Sequence, residues 1–287
     1  MITTCIGTNN SLPYLKLAVE SVRKNHFYKD SPLIVCAENC TDGTNEWLEE
    51  TKDVYNITPM IISTPTDDEI GIGGGMNLMA DAVTTKFIHF IHADMYVAPN
   101  QDLELFNLFE KYPQEKLVAS SYRVQPRVFK GDTNRPGTII VENDEFGELH
   151  SNFNQDYFDR WATEFSSVND CEIPKGEGVS FMIRKSDWDE IGGNDSRFNP
   201  LAYDDMDLFL RMKHAGFKFV LTCKSTVYHF GSRSFNGHFK NDNLEKRSDR
   251  QSMYEQRSAT RFFEKWGGLP VTDEFGMICG VTSAKGK

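Results

Sequence analysis

Short apolar runs alternate with helix-spaced segments from the second residue onward, and this alternation restricts the fold more than any other feature of the chain. Ile2 to Gly7 reads as a buried strand. Ser11 to Asn25 then carries Leu12, Leu15, Val19 and Val22 at three- and four-residue spacing, with Ser11 as N-cap and Pro13 in the first turn. Leu33 to Ala37 is a second strand, and Thr41-Asp42-Gly43-Thr44 turns into a helix around Glu46 to Lys52. Met60 to Ser63 is a third strand, Gly71-Ile72-Gly73-Gly74-Gly75 opens a helix from about Met76 to Thr84, and Phe87 to Ile91 is a fourth strand. The pattern predicts an α/β fold with a Rossmann-like, doubly wound, mostly parallel sheet, whose ligands bind beyond the carboxyl ends of the strands.

From Ser120 to Asp170 the Asn, Asp and Gly punctuators predict loops with one hairpin. Gly178 precedes a strand at Val179 to Ile183, followed by a helix near Ser186 to Ile191 and by Gly192-Gly193. Another helix starts at Asp204 or Asp205 and ends near Gly216. Strands at Phe217 to Leu221 and Thr226 to His229 follow, and then a helical tail to Trp266. The expected organisation is one domain over 1–240 with a C-terminal helical extension over 241–287.

A net charge of -11 and a pI near 5.2 argue against nucleic acid as a partner, since phosphate-backbone binding needs clustered Lys and Arg. The start of the chain has neither a basic n-region nor an apolar h-region, and no run is long enough for a membrane helix, so the cytoplasm is the expected location. Six cysteines, mostly in strand-like runs, suit reduced thiols, and Cys36 and Cys40 have no second pair with zinc-ligand spacing. Arg257, Arg261 and Lys265 recur every four residues; a solvated helical face is the preferred reading, and at most peripheral contact with an anionic membrane the other.

Three polar clusters fall where strands end. Asp94 follows the strand Phe87 to Ile91 in His92-Ala93-Asp94, where a carboxylate can hold a divalent cation against a diphosphate or simply cap a turn. Asp204, Asp205 and Asp207 crowd the start of a helix. Capping and the helix dipole account for one or two of them, while the crowding raises proton affinity toward that of a general base. Asp207 and Arg211, four apart, can pair on one face and leave Asp205 free. His229 ends a strand before Gly231 and Ser232. The glycines at 73–75 allow close approach of backbone to a ligand, or a tight turn.

Taken in order, these segments resemble family 2 glycosyltransferases of the GT-A fold over roughly residues 2–235. Gly7-Thr8-Asn9-Asn10 and Glu38-Asn39-Cys40-Thr41-Asp42-Gly43-Thr44 match the family's nucleoside-holding loops, Gly73 to Asn77 its glycine-then-Asn helix start, and His92-Ala93-Asp94 its Asp-X-Asp motif. Gly192-Gly193-Asn194-Asp195 followed by Asp204-Asp205-Met206-Asp207-Leu208-Phe209-Leu210-Arg211 is similar to the pair of motifs that carries the family's base, and His229-Phe230-Gly231-Ser232 to its His-X-X-Ser element. His92 replaces the first Asp of Asp-X-Asp, Ala37 stands where an acid is usual, and Met76 replaces a basic residue.

The resemblance implies an inverting transferase that moves a sugar from a UDP, GDP or dTDP donor to a hydroxyl of a glycan or glycolipid acceptor. It implies Mn2+ or Mg2+ held by Asp94 and His229, and Asp205 as catalytic base. Thr8, Asn10, Glu38, Asp42, Gly73, Gly74, Asn77, His92 and Ala93 would line the donor, while Asp204, Asp207, Arg211 and Gly178 would contact the acceptor or support the site. A nucleotidyltransferase is disfavoured because its glycine-rich Thr-Arg loop is missing. A membrane-embedded polysaccharide synthase is disfavoured because there is no Gln-X-X-Arg-Trp. The remaining alternative is a non-catalytic nucleotide-sugar or glycan-binding module that kept the fold.

Overall fold

The computed structural model describes residues 1–65, 68–126, 137–141, 145–174, 178, 180–231, 249–273 and 277–282. Its amino-terminal half is a run of β-α units: β1 (Ile2–Thr8), α1 (Leu12–Asn25), β2 (Leu33–Glu38), α2 (Thr44–Thr51), β3 (Ile57–Ile62), α3 (Gly71–Ala82) and β4 (Phe87–His92). Strands β3, β2, β1 and β4 pair in parallel in that order. Side-chain alternation explains why both faces of this sheet are covered. Along β1 and β2, Ile6, Leu33 and Val35 join Leu15, Val19 and Val22 of α1, whereas Cys5, Ile34 and Cys36 join Met79 and Ala80 of α3. Pro59 is accommodated because β3 lies at the end of the sheet.

Beyond β4 the sheet becomes mixed. β5 (Met95–Val97), α4 (Gln101–Lys111), β6 (Leu117–Gln125), β7 (Thr138–Ile140), α5 (Gln155–Val168), β8 (Glu172–Pro174), β9 (Phe181–Arg184), α6 (Lys185–Ile191), α7 (Asp204–His214) and β10 (Lys218–His229) follow. β9 runs antiparallel between β4 and β6, β6 pairs with β10 in parallel, and β5 closes on β10 antiparallel. The result is the α/β, mixed and mostly parallel sheet expected, with one correction. The two strands read at Phe217 to Leu221 and Thr226 to His229 are a single strand, broken only by a shift of register between Thr222 and Thr226.

The middle of the chain corrects the sequence reading more strongly. In place of loops with one hairpin, it contributes the nine-residue strand β6 and the 14-residue helix α5. Asn154 caps α5 through the Tyr157 amide, and Phe158 and Ala162 are buried against Tyr96, Phe146 and Tyr228. At the other end, α8 (Asp249–Trp266) and the hairpin β11 (Pro270–Thr272) with β12 (Ile278–Val281) close over α7, so the expected helical extension also contains a small sheet. Among the described residues no helix is long and apolar enough to cross a membrane. The cysteines are free, with Cys5, Cys36 and Cys223 buried.

Candidate metal and donor site

His92, Asp94 and His229 meet where β4, β5 and β10 come together. The antiparallel pairing of β5 with β10 sets His229 opposite Met95, and Phe230 donates its backbone N–H to the Asp94 carbonyl at 3.0 Å. A histidine 135 positions further along the chain (229 − 94) is thereby brought beside Asp94, with Nε2 3.7 Å from Oδ2. One ligand atom from each of the three residues lies within 4.8 Å of the others. Neighbouring ligand atoms around a first-row divalent ion with bonds of about 2.1 Å sit roughly 3 to 3.5 Å apart, so small side-chain rotations would bring these three together. Two imidazoles and a carboxylate are therefore a chemically suitable donor set for such an ion.

Burial lowers the proton affinity of His92, against the opposing pull of Asp94 and Asp205, and so favours the neutral imidazole that a metal requires. Arg123, nearly buried on β6, pushes in the same direction as burial. His92, expected at the donor, has its ring in the cluster with the two expected metal ligands. Ala93 departs from expectation, because it is fully buried in the apolar cluster with Ile6, Ile91 and Met95 and offers no side chain to a donor.

The acidic cluster at the start of α7 divides into three roles. Asp207 is fully buried and holds Arg211 Nε at 2.8 Å, Lys265 Nζ at 2.5 Å and the Trp266 indole N–H at 2.8 Å. Arg211 also donates to the carbonyls of Ile191 and Gly193, which ties α7 to the turn after α6. Asp204 turns toward α3, so that a β-carbon on Gly73 would come within 3.3 Å of its Oδ2; burial, and then the charge of Asp205, push its carboxyl up to about 7. Asp205 lies exposed, accepts the Met206 N–H through Oδ1 and acts electrostatically on His92. The crowding effect expected for the trio thus falls on Asp204.

Just before this cluster, Ala202 and Tyr203 both have left-handed backbone, φ +69° and +65°, a conformation costly for side chains with a β-carbon. Helix α8 holds the segment in place. Ser258 donates to the Leu201 carbonyl, Arg257 to that of Asn199 and Arg261 to that of Arg197, and Phe262 contacts the Tyr203 ring. Lys265 bridges Asp195 and Asp207. The basic residues read as a solvated face, or as a membrane contact, are therefore directed at the loop that presents Asp204 and Asp205.

Several residues expected at the donor are taken up by the protein itself. Glu38 accepts from Thr64 Oγ1 and from the Ile70 and Gly71 amides, so its carboxylate caps the start of α3. Asp42 accepts from the Leu12 amide and from Thr44, joining the starts of α1 and α2; Ser11, the expected N-cap, makes no side-chain cap bond there. Asn77 clasps both backbone groups of Asn194, its Nδ2 donating to the carbonyl and its Oδ1 accepting the N–H, each at 2.8 Å. The glycines serve the same junction. A β-carbon on Gly71, already at φ +60°, would sit 1.8 Å from the Pro200 carbonyl oxygen, and one on Gly74 2.5 Å from Ile70 Cβ.

Thr8 shares a hydrogen bond with Ser11, and Asn10 accepts from Thr41 N and Oγ1, so the loops after β1 and β2 form one bonded rim. Gly178 is buried beside Ser120 and Leu221. Ser232, the last residue of the His-X-X-Ser element, lies outside the described residues. The sequence reading missed Gln125, which is buried at the end of β6 and hydrogen-bonds the other ring nitrogen of His229.

The fold, an α/β arrangement on a mixed, mostly parallel sheet, is GT-A-like. The chain belongs to the glycosyltransferase-like family 2, whose model matches residues 2–253. Among solved structures, it is similar to GalNAc-T7 crystallised with UDP, GalNAc and Mn2+, at TM-score 0.56 and 14% identity, covering 80% of this chain and 43% of that one. It is also similar to S. aureus TarS 1-349 in complex with UDP, at TM-score 0.55 and 12% identity, covering 92% of this chain and 72% of that one. Curated relatives are uncharacterised proteins of Mycobacterium tuberculosis and Mycobacterium bovis, 33% identical over 70 residues. That match spans 24% of this chain and 27% of theirs.

Proposed function

We propose that this chain is a metal-assisted, inverting glycosyltransferase that transfers a sugar from a nucleoside diphosphate donor to an acceptor hydroxyl. The observation that carries the reading is the convergence of His92, Asp94 and His229 on one point, with Asp205 electrostatically coupled to the same His92. Asp94 and His229, with His92 as a third donor, would hold Mn2+ or Mg2+. When bound, the ion offsets the negative charge that grows on the diphosphate as the bond to the anomeric carbon breaks.

Asp205 takes the proton from the acceptor hydroxyl while that oxygen attacks the anomeric carbon on the face opposite the diphosphate, giving one displacement and inverted configuration. Its exposure suits a base that must meet an incoming acceptor. Asp204, Asp207 and Arg211 position it: the first against α3, the other two by locking α7 to the Gly193 turn and to α8. UDP is the favoured nucleotide, because both GalNAc-T7 and TarS were crystallised with it. Glycans and glycolipids remain the acceptor classes, and the cytoplasm the proposed location.

The test is to incubate the protein with UDP-, GDP- and dTDP-sugars, Mn2+ and a glycan panel, and to follow nucleotide release with and without acceptor. Release above background, lost in Asp205→Asn, supports the reading. Donor binding without release or transfer would favour the non-catalytic binding module.

A further inference from the structure

The amide of Gln125 touches the ring nitrogen of His229 that faces away from Asp94, at 2.9 Å from Nδ1, while Nε2 lies 3.7 Å from the Asp94 carboxylate. Gln125 is 2% exposed, and its Oε1 has no hydrogen-bond partner among the described residues. It is anchored by the register of β6, whose Gln125 carbonyl accepts the Val141 N–H at 3.0 Å. An amide presents either a donor or an acceptor to the same point by a half-turn of its terminal group. With Nε2 protonated, the NH2 group donates to Nδ1. With the proton on Nδ1, the turned amide accepts it through Oε1 and leaves the Nε2 lone pair directed at the cluster.

We infer that Gln125 is a positioning residue for the metal site, holding the His229 ring in the tautomer whose Nε2 binds the cation. The inference rests on the metal reading above and adds a specific residue to it. Histidine ligands generally need a partner on the second nitrogen to fix tautomer and ring angle, and removal of that partner weakens metal binding by about 10- to 100-fold. The Gln125 amide that meets Nδ1 can take either role.

The experiment is direct titration of the purified full chain with Mn2+, read by the loss of the free-ion EPR signal, for wild type, Gln125→Leu, Gln125→Glu and His229→Ala, with thermal melts in EDTA to confirm folding. Expected are His229-dependent binding in wild type, about 10- to 100-fold weaker binding in Gln125→Leu, and binding at least as tight as wild type in Gln125→Glu, whose carboxylate accepts the same proton. Equal affinity in wild type and a folded Gln125→Leu would overturn the role of Gln125 and leave the metal reading standing. Equal weakening in both Gln125 variants would show that only packing was disturbed, which also overturns it. If wild type binds no Mn2+, the metal reading falls and the inference falls with it.

Discussion

Replacing Asp207 by alanine should unlatch the carboxy-terminal helix from the helix that carries the acidic cluster. The carboxylate is fully buried and serves three donors on two helices: Arg211 on α7, and Lys265 and Trp266 on α8. Removing one partner of a buried ion pair costs about 3–5 kcal/mol, because the cations left behind stay desolvated. Here Lys265 keeps Asp195 at 2.8 Å and Arg211 keeps two carbonyls, so the low end, about 3 kcal/mol, is expected. At roughly 2 °C per kcal/mol for a chain of this size, the midpoint of thermal unfolding should fall by about 6 °C. The assay is calorimetry of wild type, Asp207→Ala, Lys265→Met and the double variant. The two single losses should fail to add, by roughly 1 kcal/mol or more. A midpoint within about 1 °C of wild type, or strict additivity, would refute the latch.

Asp205→Asn should lower turnover by about 10²- to 10⁴-fold while leaving the unfolding midpoint close to wild type, measured by nucleotide release and melting of the same preparation. His92→Asp changes the ligand set from two nitrogens and one oxygen to one nitrogen and two oxygens; rates supported by Mg2+ should rise relative to those supported by Mn2+, and an unchanged ratio would remove His92 from the metal. The raised Asp204 carboxyl binds its proton more tightly in the folded chain than in the unfolded one. Metal-free stability should therefore fall as pH rises from about 4 through 7, and Asp204→Asn should flatten that slope in melts run across pH. Gly71→Ala should destabilise far more than Gly73→Ala, because the first β-carbon meets Pro200 backbone at 1.8 Å while the second meets Asn194 Cβ at 3.2 Å and Asp204 Oδ2 at 3.3 Å.

The amino-terminal half was legible because its strands and helices carry their own periodicity: Leu12, Leu15, Val19 and Val22 mark α1 whatever it packs against. Helix α5 carried the same mark in Phe158, Trp161, Ala162 and Phe165, with Asn154 as its cap, and was hidden only by the polar punctuation around it. Motif order located Asp94, His229 and the α7 cluster, since each lies at an end of an element. Motifs could not show where carboxylates and amides find their partners. Glu38, Asp42 and Asn77 bond backbone amides that lie 30 or more residues away in sequence, and such partners are set by packing between elements. Gln125 left no sequence signal, because its meaning depends on β6 lying beside β10.

The most direct test of the account is a thermal-shift panel of UDP-, GDP-, dTDP- and CMP-sugars with and without Mn2+, run on wild type and Asp94→Ala, because a ligand that binds only the folded chain raises its midpoint. The account predicts a shift with a uridine donor that needs Mn2+ and disappears in Asp94→Ala. A shift of equal size without the ion, or one that survives in the variant, would contradict the placement of donor and metal at His92, Asp94 and His229.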